Sequence, residues 1–204
     1  MAETASQEIT SARRYEVKYV ISEVQALEVR DFIAPFVVED SHNLEYPITS
    51  LYLDGPALPM LRSSSVGEKN RIKLRIRAYS DTPEDPVFCE VKQREDRVIR
   101  KKRIVVRREA VPELLGGAHA RPEFIVEKRV DGAFDRLHRF VDLIAAFSAA
   151  PRVAVRYIRE AWMAASGEPV RVSFDRTLSC LPATAYTPAI WSPRNPWREV
   201  FATP

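Results

Sequence analysis

The sequence predicts an antiparallel α+β protein built on about seven to eight strands, closed or nearly closed into a barrel with helices packed outside. Three observations lead there. Several segments alternate with a period of two, most are joined by short turn-like links, and they repeatedly place charge on one face and bulky apolar residues on the other. A barrel reconciles the two faces: the charged one lines a polar lumen and the apolar exterior is covered by helices. About eight strands enclose side chains or one small ligand.

Each element has its own signal. Residues 1–12 read as a loose tail, and 13–204 as one domain. Arg14 to Ile21 alternates Tyr15, Val17, Tyr19 and Ile21 against Glu16, Lys18 and Val20, which predicts a strand. Ser22 with Gln25 fits a capping box, and Leu27, Phe32 and Ile33, with Val24 or Val29, give an apolar stripe, so a helix runs from Ser22 to near Pro35. Tyr46 to Asp54 is β-rich and stops at Gly55-Pro56; residues 56–69 form a loop or short helix. Asn70 to Tyr79 is a strand, Ser80 to Pro86 a turn, and residues 87–108 a hairpin turning at Glu95-Asp96. Pro112 opens a short helix that Gly116-Gly117 stops. Phe134 to Ala149 carries a broad apolar face at helical spacing and ends before Pro151. Arg152 to Trp162 and Val170 to Asp175 form a second hairpin around Ser166-Gly167. The last 23 residues hold five prolines and three Trp/Tyr and read as irregular.

Charge is uneven. The net charge is +3, yet Lys69 to Arg108 holds 14 Lys/Arg against 6 Asp/Glu, a local +8 that leaves −5 for the rest. In "NRIKLRIRAY" strand alternation aligns Arg71, Lys73, Arg75 and Arg77 on one face. Glu16 with Lys18, and Glu90 with Lys92, repeat a Glu-x-Lys pair on the lumen side of two further strands. Cations packed into a low-dielectric space repel, so a bound polyanion is the expected neutraliser. Arg forks grip phosphate oxygens in pairs, and carboxylates suit Mg²⁺ or Mn²⁺ carried on phosphates. Glu16 and Glu90 serve equally well as salt-bridge partners, and Asp175 as a turn cap.

Other classes find less support. No run approaches 18 apolar residues. The N-terminus lacks the basic flank and apolar stretch of a secretory signal. Cys89 and Cys180 form no metal or redox motif, so a reduced cytoplasmic setting is expected. His42, His119 and His138 have no paired ligands in sequence, and Cys89 is expected on the apolar side. Nucleic-acid binding is disfavoured by the modest global charge and the few aromatics on the cationic face, Tyr79 and Phe88 being the main ones.

In order, "YEVKYVI", "ITSLYLD", "RIKLRIRAY", "FCEVKQ", a basic strand, "RYIREAW" and "VRVSFD" resemble the VTC (vacuolar transporter chaperone) domain family of the triphosphate tunnel metalloenzyme, or CYTH-like, superfamily, over roughly residues 13–180. The resemblance implies an antiparallel β-tunnel that binds triphosphate, and polyphosphate synthesis from the γ-phosphate of ATP with a divalent metal, commonly Mn²⁺. It implies phosphate binding by Lys18, Arg75, Arg77, Lys92, one or both of Lys101 and Lys102, and Arg159. Of these, Arg75, Arg77, Lys92 and Arg159 would stabilise charge during transfer; Glu16, Glu90 and Asp175 would be metal ligands. It also implies a further strand carrying a Glu-x-Lys segment after the Trp-rich stretch, which is not found before Pro204; a hydrolase and a non-catalytic triphosphate- or polyphosphate-binding module therefore stay open.

Overall fold

The computed structural model describes residues 16–40, 44–96, 98–126 and 131–201. The predicted tail and His42 lie outside them. Among the described residues the chain forms four α-helices, α1 (Glu23–Ile33), α2 (Pro59–Ser65), α3 (Val111–Leu115) and α4 (Ala133–Phe147). The eight strands of the described residues are β1 (Val37–Glu39), β2 (Glu45–Asp54), β3 (Arg71–Ala78), β4 (Val87–Glu95), β5 (Val98–Val106), β6 (Ala150–Ala164), β7 (Arg171–Pro182) and β8 (Arg198–Glu199). They make one sheet in the order β5-β4-β3-β2-β6-β7-β8, with β1 beside β6, and every pairing is antiparallel. The α+β antiparallel class is therefore the one the chain adopts. Among the described residues β5 and β8 do not meet, so the sheet is open rather than sealed into a barrel.

One face of this sheet is the core. Leu74 and Ile76 of β3, Cys89 and Val91 of β4, and Ile104 and Val106 of β5 are buried, and Leu137, Phe140, Leu143 and Ile144 of α4 pack on them. The 3.6-residue repeat of α4 supplies this stripe, and each such side chain contributes about 1.5–3 kcal/mol on burial. Cys89 belongs to this layer, where burial pushes its thiol pKa far up and leaves it unreactive. Helix α4 ends at Phe147 because Ser148 takes a left-handed conformation (φ 49°), three residues before Pro151. At the far end of β2, Asp54 accepts hydrogen bonds from the backbone N–H of Gly55, Met60 and Leu61 at 2.8, 3.1 and 2.9 Å and so starts α2. A Cβ on Gly55 would lie 2.7 Å from the Phe147 carbonyl oxygen, which makes glycine necessary there.

Two expectations need correction. The described part of the predicted first strand, Glu16 to Ile21, forms no strand, and Val17, Tyr19 and Val20 are exposed. Helix α1 has its capping box, with Ser22 Oγ accepting from Gln25 N at 3.2 Å, but its apolar stripe is not buried: Val24, Leu27, Val29 and Phe32 face out and Ala26 alone of the helix is buried. What ties α1 to the sheet is charge, Glu23 meeting Arg176 of β7 at 3.0 Å. The described part of the C-terminal region is largely irregular, as expected, apart from the two-residue β8 and a 3₁₀ turn at Pro188–Trp191.

Candidate functional site

Opposite the core, the pleat gathers the cations. Register places Arg75 beside Glu90 and Arg77 beside Phe88, Lys92 beside Lys101, and Glu90 beside Arg103. On the other flank Tyr52 and Ser50 of β2 stand next to Arg75 and Arg77, while Arg159 of β6 stands between Tyr46 of β2 and Asp175 of β7. Alternation fixes this sidedness: because side chains flip at every residue, Leu74 and Ile76 must enter the core if Arg75 and Arg77 leave it.

The strands also converge in space. Tyr157 of β6 lies in the field of Arg75 and Arg77 on β3. Glu16 lies in the field of Lys92 on β4 and Arg159 on β6, although β3 and β2 separate those strands. Residues from β3, β4, β5, β6 and β7, with Glu16 from the N-terminal segment, therefore share one polar space.

Most charges in it are paired. Arg75 Nε donates to Glu90 Oε2 at 2.6 Å, and Arg75 Nη1 donates to the Tyr52 hydroxyl at 3.2 Å. Lys101 Nζ lies 2.8 Å from Glu90 Oε1. Glu90 is 1% exposed. Burial alone would push its carboxyl pKa up; the charges of Arg75, then Lys101 and Arg77, outweigh this and hold it below the ordinary value. Arg159 binds both oxygens of Asp175 at 2.7 Å, a fork that overcomes its desolvation and raises its pKa. Glu16 contacts Lys18 at 3.2 Å and Lys92 at 3.8 Å. Its partial burial favours the neutral form, but Lys18, Lys92 and Arg159 prevail and lower its pKa.

Arg77 is held differently. It is 7% exposed, its Nε donates to Ser50 Oγ at 2.9 Å, and its guanidinium lies 5.8 Å from the Tyr79 ring centroid. Among the described residues no carboxylate stands within ion-pair distance of it. A buried cation that shares the field of one carboxylate, Glu90, with Arg75 and Lys101 is costly to hold, and this one faces the shared polar space.

Of the residues singled out from sequence, Glu16, Lys18, Arg75, Arg77, Glu90, Lys92, Lys101, Arg159 and Asp175 are brought to this face. Lys102 is not: it pairs with Val91, a core-facing position, and so projects to the other side of β5. Sequence reading passed over Arg103, whose guanidinium lies 5.4 Å from the Phe88 ring, and the polar row Tyr46, Ser50 and Tyr52. Their signal is present, since "YPITSLYLD" alternates with the same period. Tyr157, two residues before Arg159, was also legible that way. His119 is exposed, and His138 meets Asp142 one turn along α4.

Among the described residues no group of three or more His, Cys, Asp or Glu is placed to hold a metal ion. Glu90 and Asp175 are engaged by cations, while Glu16, 62% exposed at its side chain, is the most loosely held. This donor set does not form an all-protein cage. It fits an ion that arrives on phosphate oxygens and takes one or two carboxylates, as Mg²⁺ commonly does. No helix among the described residues is long and apolar enough to cross a membrane.

Comparison with known proteins adds to this geometry. The chain is similar to a solved structure from Hippeastrum, HpAC1, described as a candidate adenylyl cyclase with a dominant triphosphatase activity. Identity is 14%, the match covers 79% of this chain and 69% of that one, and the TM-score is 0.47. No curated protein gives a match. The model of one family, the VTC domain, matches residues 13–200, nearly the whole chain. By that match the chain belongs to the VTC domain family, whose chemistry is phosphoryl chemistry on triphosphates and polyphosphates.

Proposed function

We propose that this chain transfers phosphoryl groups between ATP and a growing inorganic polyphosphate, with the phosphates lying on the cationic face of the sheet. The observation that carries the reading is Arg77, a buried guanidinium with no carboxylate partner among the described residues, set beside Arg75 on a face that also holds Lys92, Lys101 and Arg159. Phosphate oxygens supply the missing negative charge.

Each residue then has a task. Arg77 and Arg75 hold non-bridging oxygens, and their charge grows in value as negative charge shifts to the oxygen that bridges the β- and γ-phosphates. Lys92, Lys101 and Lys18 extend the positive track for the rest of the chain. Arg159, fixed by Asp175, orients the transferred group. Glu90 keeps Arg75 and Lys101 aimed while leaving the remaining charge for substrate. A terminal oxygen of the acceptor polyphosphate attacks the γ-phosphorus, the bond from the γ-phosphorus to the bridging oxygen breaks, and ADP leaves with that electron pair. A divalent ion, Mn²⁺ or Mg²⁺, supplies charge neutralisation on the phosphates, and Glu16 is the carboxylate best able to hold it. Incubation with ATP and Mn²⁺ tests the reading. Polyphosphate accumulation supports synthesis, phosphate release alone makes the chain a hydrolase, and absence of both products rules out transfer.

A second reading, a non-catalytic module that binds triphosphate or polyphosphate, is favoured by one observation: Glu90 and Asp175 are committed to cations and no three-ligand metal group forms among the described residues. Triphosphate binding without turnover of ATP, in the presence of Mn²⁺, would establish it.

A further inference from the structure

Helix α1 meets the sheet with almost no apolar adhesion. Ala26 is its one buried residue, while Val24, Phe32 and, just beyond the helix, Phe36 are exposed. Burying a single alanine contributes little, so polar contacts decide where α1 lies. They converge on Arg176 of β7. Its Nε donates to both oxygens of Glu23, in the first turn of α1, at 3.0 Å each, and its Nη1 donates to Glu160 Oε2 of β6 at 2.5 Å. Glu160 is buried, and its other oxygen accepts from Trp162 Nε1 at 2.7 Å. One guanidinium thus bridges a buried carboxylate of the sheet and a carboxylate of the helix.

This anchor adjoins the segment that carries Glu16 and Lys18. Glu160 follows Arg159 and Arg176 follows Asp175, so strand alternation places Glu160 and Arg176 on the face of the sheet opposite the site. Yet Glu16, seven residues before Glu23, reaches Lys92 on the polar side at 3.8 Å. Between them Val17, Tyr19 and Val20 are exposed and no strand forms among the described residues. The Ser22–Gln25 capping box sets the direction in which this segment leaves the helix. With α1 detached, the next fixed point is Val37, which pairs with Ala164 of β6 and lies twenty-one residues from Glu16. A tether about three times as long dilutes its free end about fivefold.

We propose that Arg176 is a positioning residue for the phosphate site: by gripping Glu23 it holds α1 in place, and through α1 it keeps Glu16 and Lys18 over the polar face as a clasp on bound phosphates. The proposal rests on the phosphate reading above. Arg176 touches no phosphate itself; its contribution is the higher local concentration of the clasp.

Replacing Arg176 would strand buried Glu160 without its cation. Glu23, more than half exposed, tests the same contact without that cost. Calorimetric titration of the full chain with Mg²⁺-triphosphate compares wild type, Glu23→Lys and Glu28→Lys, the last being the same charge change at another exposed position of α1. Glu23→Lys should weaken triphosphate about fivefold, and Glu28→Lys should match wild type. In a chain already carrying Glu16→Gln and Lys18→Ala, Glu23→Lys should have no further effect, because nothing remains for α1 to position. No loss in Glu23→Lys, an equal loss in Glu28→Lys, or the same loss in both backgrounds overturns the proposal and leaves the phosphate reading standing. Wild type that binds no triphosphate removes both. Trypsin gives a readout that does not depend on the weakened background: triphosphate should slow cleavage after Lys18 in wild type, and slow it less in Glu23→Lys. Cleavage slowed equally in the two, or not slowed in wild type, overturns the clasp.

Discussion

Arg75 and Glu90 face each other across β3 and β4, Nε to Oε2 at 2.6 Å, and the second oxygen of the same buried carboxylate is taken by Lys101 from β5. One carboxylate thereby orders cations from the strands on both sides of it. It balances one of the two charges and leaves the surplus directed at the polar space, near Arg77, which forms no ion pair among the described residues.

Glu90→Gln should destabilise the protein by about 3 kcal/mol at pH 7, because it leaves two cations with a neutral neighbour in place of a buried charge. The pH dependence follows from the same pair. The Glu90 pKa is lower folded than unfolded, so the unfolded chain binds more protons in the interval between the two values. Its stabilising contribution is present above the unfolded value, about 4.3, and is lost as pH falls through the folded one. Urea melts from pH 7 downward should show this acid loss in wild type and a shallower one in Glu90→Gln. Parallel curves would assign the loss to other carboxylates.

Arg77→Met separates binding from folding. Removing a buried charge that forms no ion pair among the described residues should leave the ligand-free midpoint unchanged or raised. Triphosphate affinity should fall about tenfold to a hundredfold, the worth of charge-assisted hydrogen bonds. Thermal melts and calorimetry on the same preparation read both. A large loss of stability with unchanged affinity would make Arg77 a structural residue.

Register makes a sharper comparison between neighbours. Lys101→Ala should weaken triphosphate roughly fivefold, a modest effect because the side chain is partly exposed to screening solvent. Lys102→Ala should change nothing measurable, because its side chain leaves the other face of β5. Reversed outcomes would place β5 one residue out of register.

Saturating triphosphate should raise the melting temperature. At a hundred times Kd the stabilisation is about 2.7 kcal/mol, which for a chain of this size is about 5–10 °C. The shift should shrink as ionic strength rises from about 0.05 to 0.5 M, since half-exposed groups such as Lys92 and Lys101 are screened. A shift insensitive to salt would point to an apolar ligand site instead.

Strand alternation is written in the chain itself. The period of two in residues 70–79 and 87–95 fixed which side chains enter the core and which form the cationic face, whatever the strands paired with, because the pleat flips every residue. Serine and glutamine three residues apart likewise announced the start of α1. The sequence determined these because they depend on neighbours a few residues away. Other features were decided by contacts between residues far apart. Only strand pairing could show that Lys101 and not Lys102 joins the site, that Arg77 forms no ion pair among the described residues, and that the first Glu-x-Lys segment lies against the polar face without becoming a strand. Register and charge compensation are settled by which surfaces meet, and one strand read alone carries neither.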